Sequence, residues 1–142
     1  MVQLLTGIQN STAALDAEQT RLDVISQNIA NVNTTHGVDG KPYQRQVVVF
    51  ESALQSAMNS DGSMQMSPLQ VAQVKSDNSP PISIYDPGNP DADKNGLVAM
   101  PNINIHEEMA DLISASRTYE ANLAVVKNSR ALAMETLAIG KH

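Results

Sequence analysis

The chain has 142 residues, with 9 Lys and Arg against 15 Asp and Glu, a formal net charge of -6 and no cysteine. The acidic balance argues against nucleic acid or an anionic membrane surface as the main partner, because both require clustered cations. The lack of cysteine excludes a disulfide framework, a Cys-ligated zinc site and a thiol nucleophile.

The first thirty residues predict an amphipathic helix from about Leu4 to about Ala30. Apolar residues recur there at helical spacing, while Asp16 and Gln19 lie off the apolar stripe. The apolar positions that we expect to pack are Leu4, Ile8, Leu15, Leu22, Ile25 and Ile29. Residues 31–37 follow, and their Asn and Thr side chains can end a helix by bonding its backbone.

Four short strands are predicted in the middle third of the chain, where β-branched residues cluster between Pro, Gly and Asn residues. These strands are expected at 42–51, 70–75, 82–85 and 97–100. The Asp-Lys-Asn-Gly sequence at 93–96 is the strongest short hairpin signal in the chain. Residues 53–69, with scattered small polar side chains, are predicted to be a flexible loop. We therefore expect a small antiparallel β unit.

A second long helix is predicted from Asn104 to Gly140, since no Pro or Gly interrupts the apolar repeat between them. Asn104 followed by Glu107 predicts a capping box at its start. Two sets of positions at steps of seven form the predicted seam. From these sets we expect packing by Ile105, Met109, Leu112, Tyr119, Leu123, Val126 and Leu137.

The predicted fold class is α+β, with two long terminal amphipathic helices packed as a coiled-coil-like hairpin and a small antiparallel β insert between them. Residues 1–35 and 104–142 would form the helical domain, and 36–103 the insert. The pattern leaves open whether the helices run parallel or antiparallel, and whether they pair within one chain or across chains. Apolar residues beside the seams, such as Ile113 and Met134, are expected to remain exposed and to indicate further helices from other chains.

No catalytic, cofactor or metal site is predicted. Asp91, Asp93 and Asn95 fit the first positions of a calcium loop, but Asn102 stands where that loop needs a bidentate Glu. Turn formation explains the same residue types better, although a calcium-responsive module remains an alternative hypothesis. His36 and the other two histidines are scattered, so they do not form a zinc ligand set.

Six segments of the chain contain motifs that are specific in combination, namely 26–34, 40–45, 85–93, 96–102, 105–109 and 116–122. The motif positions are Asn28, Ala30, Asn31, Asn33, Thr34, Tyr43, Arg45, Asp86, Pro87, Asn102, Glu108, Arg117 and Asn122. Together these segments resemble the bacterial flagellar rod and hook proteins, and within them a member of the proximal rod.

The resemblance implies a structural subunit that polymerises with copies of itself and with other rod subunits around an export channel. It also implies delivery by the flagellar type III export apparatus to the periplasmic part of the basal body, without a cleaved signal. That expectation overrides the cytoplasmic location predicted by the absence of signal-like and membrane-spanning segments. A monomeric helical-hairpin adaptor or secretion chaperone is the alternative hypothesis.

Overall fold

The computed structural model describes residues 2–37, 39–52 and 69–139, over which a pair of long helices flanks four short strands. The elements are α1 (Val2–Ala30), β1 (Gln46–Ser52), β2 (Leu69–Ser76), β3 (Ile82–Tyr85), β4 (Leu97–Met100) and α2 (Ile105–Ile139). The predicted α+β class and both long helices are confirmed. The predicted loop at 53–69 lies outside the described residues, except for Leu69, which begins β2.

The two helices pair antiparallel within one chain. Asn28, in the last turn of α1, bonds to Glu108 in the first turns of α2. Farther from this end, the guanidinium of Arg21 lies 3.7 Å from the Asp111 carboxylate. The residue nearer the start of α1 thus contacts the residue farther along α2, so the two helices run in opposite directions. The sequence pattern leaves this orientation open.

The predicted antiparallel β insert is present, and its strands form two separate two-stranded ribbons. β1 pairs with β2, with a register shift between Val49 and Phe50, and β3 pairs with β4. The two prolines at 80 and 81 separate the ribbons, because a proline cannot donate to a strand ladder. β1 begins later than predicted, since the Tyr43 N–H donates to the Thr34 carbonyl at 3.1 Å.

The predicted hairpin signal at 93–96 does form the turn that enters β4. The Asp93 carboxylate accepts hydrogen bonds from the backbone N–H groups of Leu97 and Asn95, at 2.9 and 2.7 Å. These two donors hold the pKa of the Asp93 carboxyl below its usual range. Gly96 has a φ of 76°, and a Cβ there would approach the Tyr85 ring to 3.0 Å, so this turn needs glycine.

The buried side chains of each helix match the predicted packing positions only in part, and Ile25 is a predicted position that is buried. In α1 the most buried side chains are those of Ala17, Val24, Ile25 and Asn28, whereas Ile8, Leu15, Leu22 and Ile29 are half-buried. In α2 the buried positions are Glu108 and Ala115, and Glu108 lies one residue before the expected Met109. A polar and a small residue of α2 are thus buried at positions that the apolar pattern does not assign to the core.

Candidate functional site

A polar cluster, which we call the junction, joins the end of α1, the entry to β1 and the start of α2. It consists of Asn28, Tyr43, Arg45, Gln46 and Glu108. Asn28 and Glu108 are each only 1% exposed. Burying an amide and a carboxylate costs free energy unless both are well bonded. The bonds of these two side chains therefore show what the junction does.

Asn28 ties α1 to β1 through both ends of its side-chain amide. Its Nδ2 donates to the Gln46 carbonyl at 2.9 Å, and its Oδ1 accepts from the Gln46 N–H at 2.9 Å. The same Nδ2 donates to Glu108 Oε2 at 3.1 Å, and Tyr43 donates its hydroxyl to Asn28 Oδ1 at 3.1 Å. One side chain of α1 thus bonds to two distant segments, residues 43–46 and the start of α2, and pairs with the backbone of β1 as a neighbouring strand would.

Glu108 is held by a cation from the segment that leads into β1. Arg45 Nε and a terminal guanidinium nitrogen both lie 2.6 Å from Glu108 Oε1. Burial and then the nearby charge of Glu108 raise the pKa of the Tyr43 hydroxyl. A buried ion pair of this kind adds little net stability, but its loss leaves an uncompensated charge. The junction is therefore suited to fixing the register of α1 against α2.

The turn that follows α1 is also held by side-chain bonds. Asn31 donates to the Gln27 carbonyl at 2.8 Å, and Thr34 donates its hydroxyl to Asn31 Oδ1 at 3.2 Å. Thr35 then donates to Asp91 Oδ2 at 2.6 Å, which links this turn to the β3–β4 connection. Asn31 therefore bonds the backbone at the end of α1, as the sequence predicts, whereas the hydroxyls of Thr34 and Thr35 bond to side chains.

The family-motif positions divide into two groups in the structure. Asn28, Tyr43, Arg45 and Glu108 come together in the junction. The half-buried positions outside it are Asn31, Thr34 and Asn122, and the exposed ones are Ala30, Asn33, Asp86, Pro87, Asn102 and Arg117. Sequence reasoning missed Gln46, which takes part through its backbone groups, so its side chain carries no signal.

The predicted packing residues of α2 also fall into two groups, which differ in their exposure to solvent. Leu112, Tyr119, Leu123 and Val126 are half-buried, whereas Ile105, Met109 and Leu137 are 39%, 51% and 59% exposed. The side chain of Leu4 lies outside the described residues. Further along α2, Ile113, Val125, Leu132 and Met134 are 50% to 63% exposed. The exposure expected beside the seam is therefore present, and it extends along most of the helix.

Other kinds of site find no support among the residues that the structure describes. Within those ranges, no group of three or more His, Asp or Glu side chains is placed to hold a metal ion. The Asp91 and Asp93 carboxylates instead bond to Thr35 and to backbone N–H groups. Over the same residues, no helix is both long enough and apolar enough to cross a membrane.

Comparison with known families places the chain in a class. A family described as flagella basal body rod protein matches residues 8–37, which cover most of α1 and the turn after it. The C-terminal family of the flagellar basal body rod FlgEFG proteins matches residues 94–139, which cover β4 and α2. The chain belongs to the flagellar basal-body rod proteins.

Curated relatives match the chain over nearly its whole length, and three of them are flagellar basal-body rod proteins named FlgC. The FlgC of Yersinia enterocolitica is 38% identical and aligns with 99% of this chain and 100% of its own. The FlgC of Borreliella burgdorferi is 39% identical, covering 96% and 97% of the two chains. The FlgC of Bacillus subtilis is 37% identical, covering 92% and 94%.

Proposed function

We propose that this chain is a structural subunit of the proximal rod of the flagellar basal body, polymerising with copies of itself and with other rod subunits. The observation that carries this proposal is the exposure of large apolar side chains along α2. Met134, Leu137 and Leu132 are 63%, 59% and 57% exposed. Large apolar side chains exposed along a helix indicate a protein interface when the chain also has few buried ones.

The small core supports the same proposal. Among the described residues the buried apolar side chains are Ala17, Val24, Ile25, Val98, Ile103 and Ala115. A helix pair with so few buried side chains gains little from tertiary packing, on which helices in water depend. Contacts with neighbouring subunits would supply the missing burial. Repeated heterologous contacts of this kind would extend without closing, as a rod that transmits torque requires.

The subunit would pass through the flagellar type III export apparatus without a cleaved signal, and would reach the periplasmic part of the basal body. There its helices would line the wall of the export channel, and the β ribbons would face outward. The role is structural, in keeping with the rod proteins to which the chain is related.

The exposed face of α2 far from the junction offers a direct test of assembly. Leu132→Asp places a charge at a 57% exposed apolar position. We expect the variant to be expressed and exported normally but to leave a strain that lacks the wild-type chain non-motile. Asn128→Asp, one turn earlier at an exposed polar position, is the matched control and should restore motility. Normal motility with Leu132→Asp would show that this face does not contact a neighbouring subunit.

The pairing of α1 with α2 within one chain favours a second candidate, a monomeric helical-hairpin adaptor or secretion chaperone. A hairpin that closes on itself can bind a partner without polymerising. Fractionation separates the two proposals: a tagged rod subunit should co-purify with intact basal bodies, whereas an adaptor should remain in the cell extract. Recovery only in the extract would overturn the rod proposal.

A further inference from the structure

The outward side of α2 carries a second seam, separate from the one that packs on α1. Its positions advance by alternating steps of four and three residues, which is the spacing of a coiled-coil stripe. The outer seam consists of Met109, Ile113, Ser116, Glu120, Leu123, Lys127, Arg130, Met134 and Leu137. All of these residues except Ser116 and Leu123 are exposed, and Glu120, Lys127 and Arg130 are the charged ones.

We propose that the outer seam binds the same seam of a second copy of this chain, with the two α2 helices antiparallel. This inference rests on the face itself and not on the proposed role in the rod. The order of residues along the seam is what selects the partner. Apolar residues lie at the two ends, an acidic residue lies just before the middle, and basic residues lie just after it.

In an antiparallel pair, this order of apolar, acidic and basic residues is complementary to the same order in the second copy. Antiparallel pairing places Glu120 of each copy against the segment that holds Lys127 and Arg130 in the other, so that two sets of opposite charges meet. It also places Ile113, which is 55% exposed, against the partner's apolar segment around Met134. Parallel pairing in register would instead set each charge against the same charge of the other copy, which opposes association.

The size of the seam predicts a weak dimer. From Met109 to Leu137 the helix rises about 42 Å, and one helix with its side chains is about 10 Å wide. The footprint is therefore roughly 400 Å² on each copy, against the ~800 Å² per partner of a standard stable interface. We expect a dimer that forms in the micromolar range and gives way when a rod neighbour covers the same face.

Charge reversal on the full-length chain tests the electrostatic basis of the proposal by sedimentation velocity over a range of concentrations. Glu120→Lys and Lys127→Glu should each raise the dissociation constant about tenfold, because twofold symmetry makes two contacts repulsive at once. The double variant Glu120→Lys with Lys127→Glu should recover dimerisation. A chain that stays monomeric up to millimolar concentration, or a double variant no better than the single ones, would overturn the proposal.

Disulfide cross-linking tests whether the two α2 helices are antiparallel. The chain has no cysteine of its own that would interfere. A mixture of Ile113→Cys and Met134→Cys chains should give a mixed disulfide. Ile113→Cys alone should not cross-link, because antiparallel copies of that position lie more than about 30 Å apart, beyond the ~7 Å that a disulfide spans. Leu132→Cys, exposed on another face of α2, is the control and should not cross-link to Ile113→Cys. A disulfide between two Ile113→Cys chains would instead indicate a parallel pair of helices and overturn the antiparallel proposal.

Discussion

The two ends of the helix pair are held by different kinds of interaction. At the junction end, Asn28 and Glu108 are 1% exposed and are bonded to each other and to the entry of β1. Toward the other end, α2 leaves Leu132, Met134 and Leu137 more than half exposed. One end thus fixes orientation with directional polar bonds, while the other leaves apolar surface for further chains.

This difference has a physical basis. Apolar packing tolerates small shifts, since many arrangements of similar volume have similar free energy. A buried amide and carboxylate do not tolerate shifts, because a displaced hydrogen bond leaves a desolvated polar atom. Directional bonds at one end are sufficient to set the register of two helices along their whole length. The exposed end can then be complementary to a neighbouring chain instead of to α1.

The largest effect on stability is expected from Glu108→Ala. The change leaves the Arg45 guanidinium without its carboxylate and removes one acceptor of Asn28 Nδ2. Because Arg45 is 30% exposed and can recover some hydration, we expect a loss near the lower limit for broken buried pairs, about 3 kcal/mol in urea denaturation. Glu107→Ala, at the exposed neighbouring position, should change stability by less than about 0.5 kcal/mol. Equal losses from both variants would mean that the junction does not hold the helices.

Asn28→Ala should have the next largest effect. It removes the bonds of the side-chain amide to Gln46 and Glu108, and leaves the Gln46 backbone groups to find other partners in a buried site. We expect a loss of about 2 kcal/mol in the free energy of unfolding. Gln27→Ala, at the exposed position beside it, serves as the control. A stability loss near zero for Asn28→Ala would show that water replaces the amide without cost.

A smaller effect is expected from alkaline pH, through Tyr43. Its pKa lies above the usual value of 10.0, so the folded protein holds this proton more tightly than the unfolded chain does. The resulting stabilisation is fully present below about pH 10 and is lost as the pH rises through the higher folded pKa. Urea denaturation from about pH 9 to about pH 11 should therefore show a smaller decline for Tyr43→Phe than for the wild type. An equal decline in the free energy of unfolding of the two proteins would show that Tyr43 does not cause the loss of stability at alkaline pH.

Leu137→Glu should have the smallest effect on the isolated chain. The side chain is 59% exposed, so unfolding should change by no more than about 0.5 kcal/mol. Complementation of a strain without the wild-type chain should nevertheless be impaired, because the added charge lies on surface that we expect a neighbour to cover. A variant that unfolds much more easily would place Leu137 in the hairpin and not on the assembly surface.

The sequence by itself determined the elements and the family. Both long helices, β3 and β4 have almost the bounds that the pattern predicts, and the turn at 93–96 forms around Gly96. These features depend on local chemistry: periodic apolar residues, turn-forming side chains and a glycine with positive φ. The class of protein followed from motif residues, and the comparisons with known rod proteins confirmed it.

Only the tertiary structure decided which helix faces are buried, how the helices are oriented, and that Asn28, Tyr43, Arg45 and Glu108 meet. Apolar periodicity assigns large side chains to the core, so it selects Met109 and passes over Glu108, whose burial depends on a cation sixty-three positions away in the chain. The tertiary structure also divides the apolar positions of α2 into half-buried and exposed ones, since an amphipathic pattern shows that a helix has apolar faces but not which partner covers each. Hydrogen bonds between distant segments decided the orientation of the helices and the composition of the junction, because these bonds form only when the whole chain has folded.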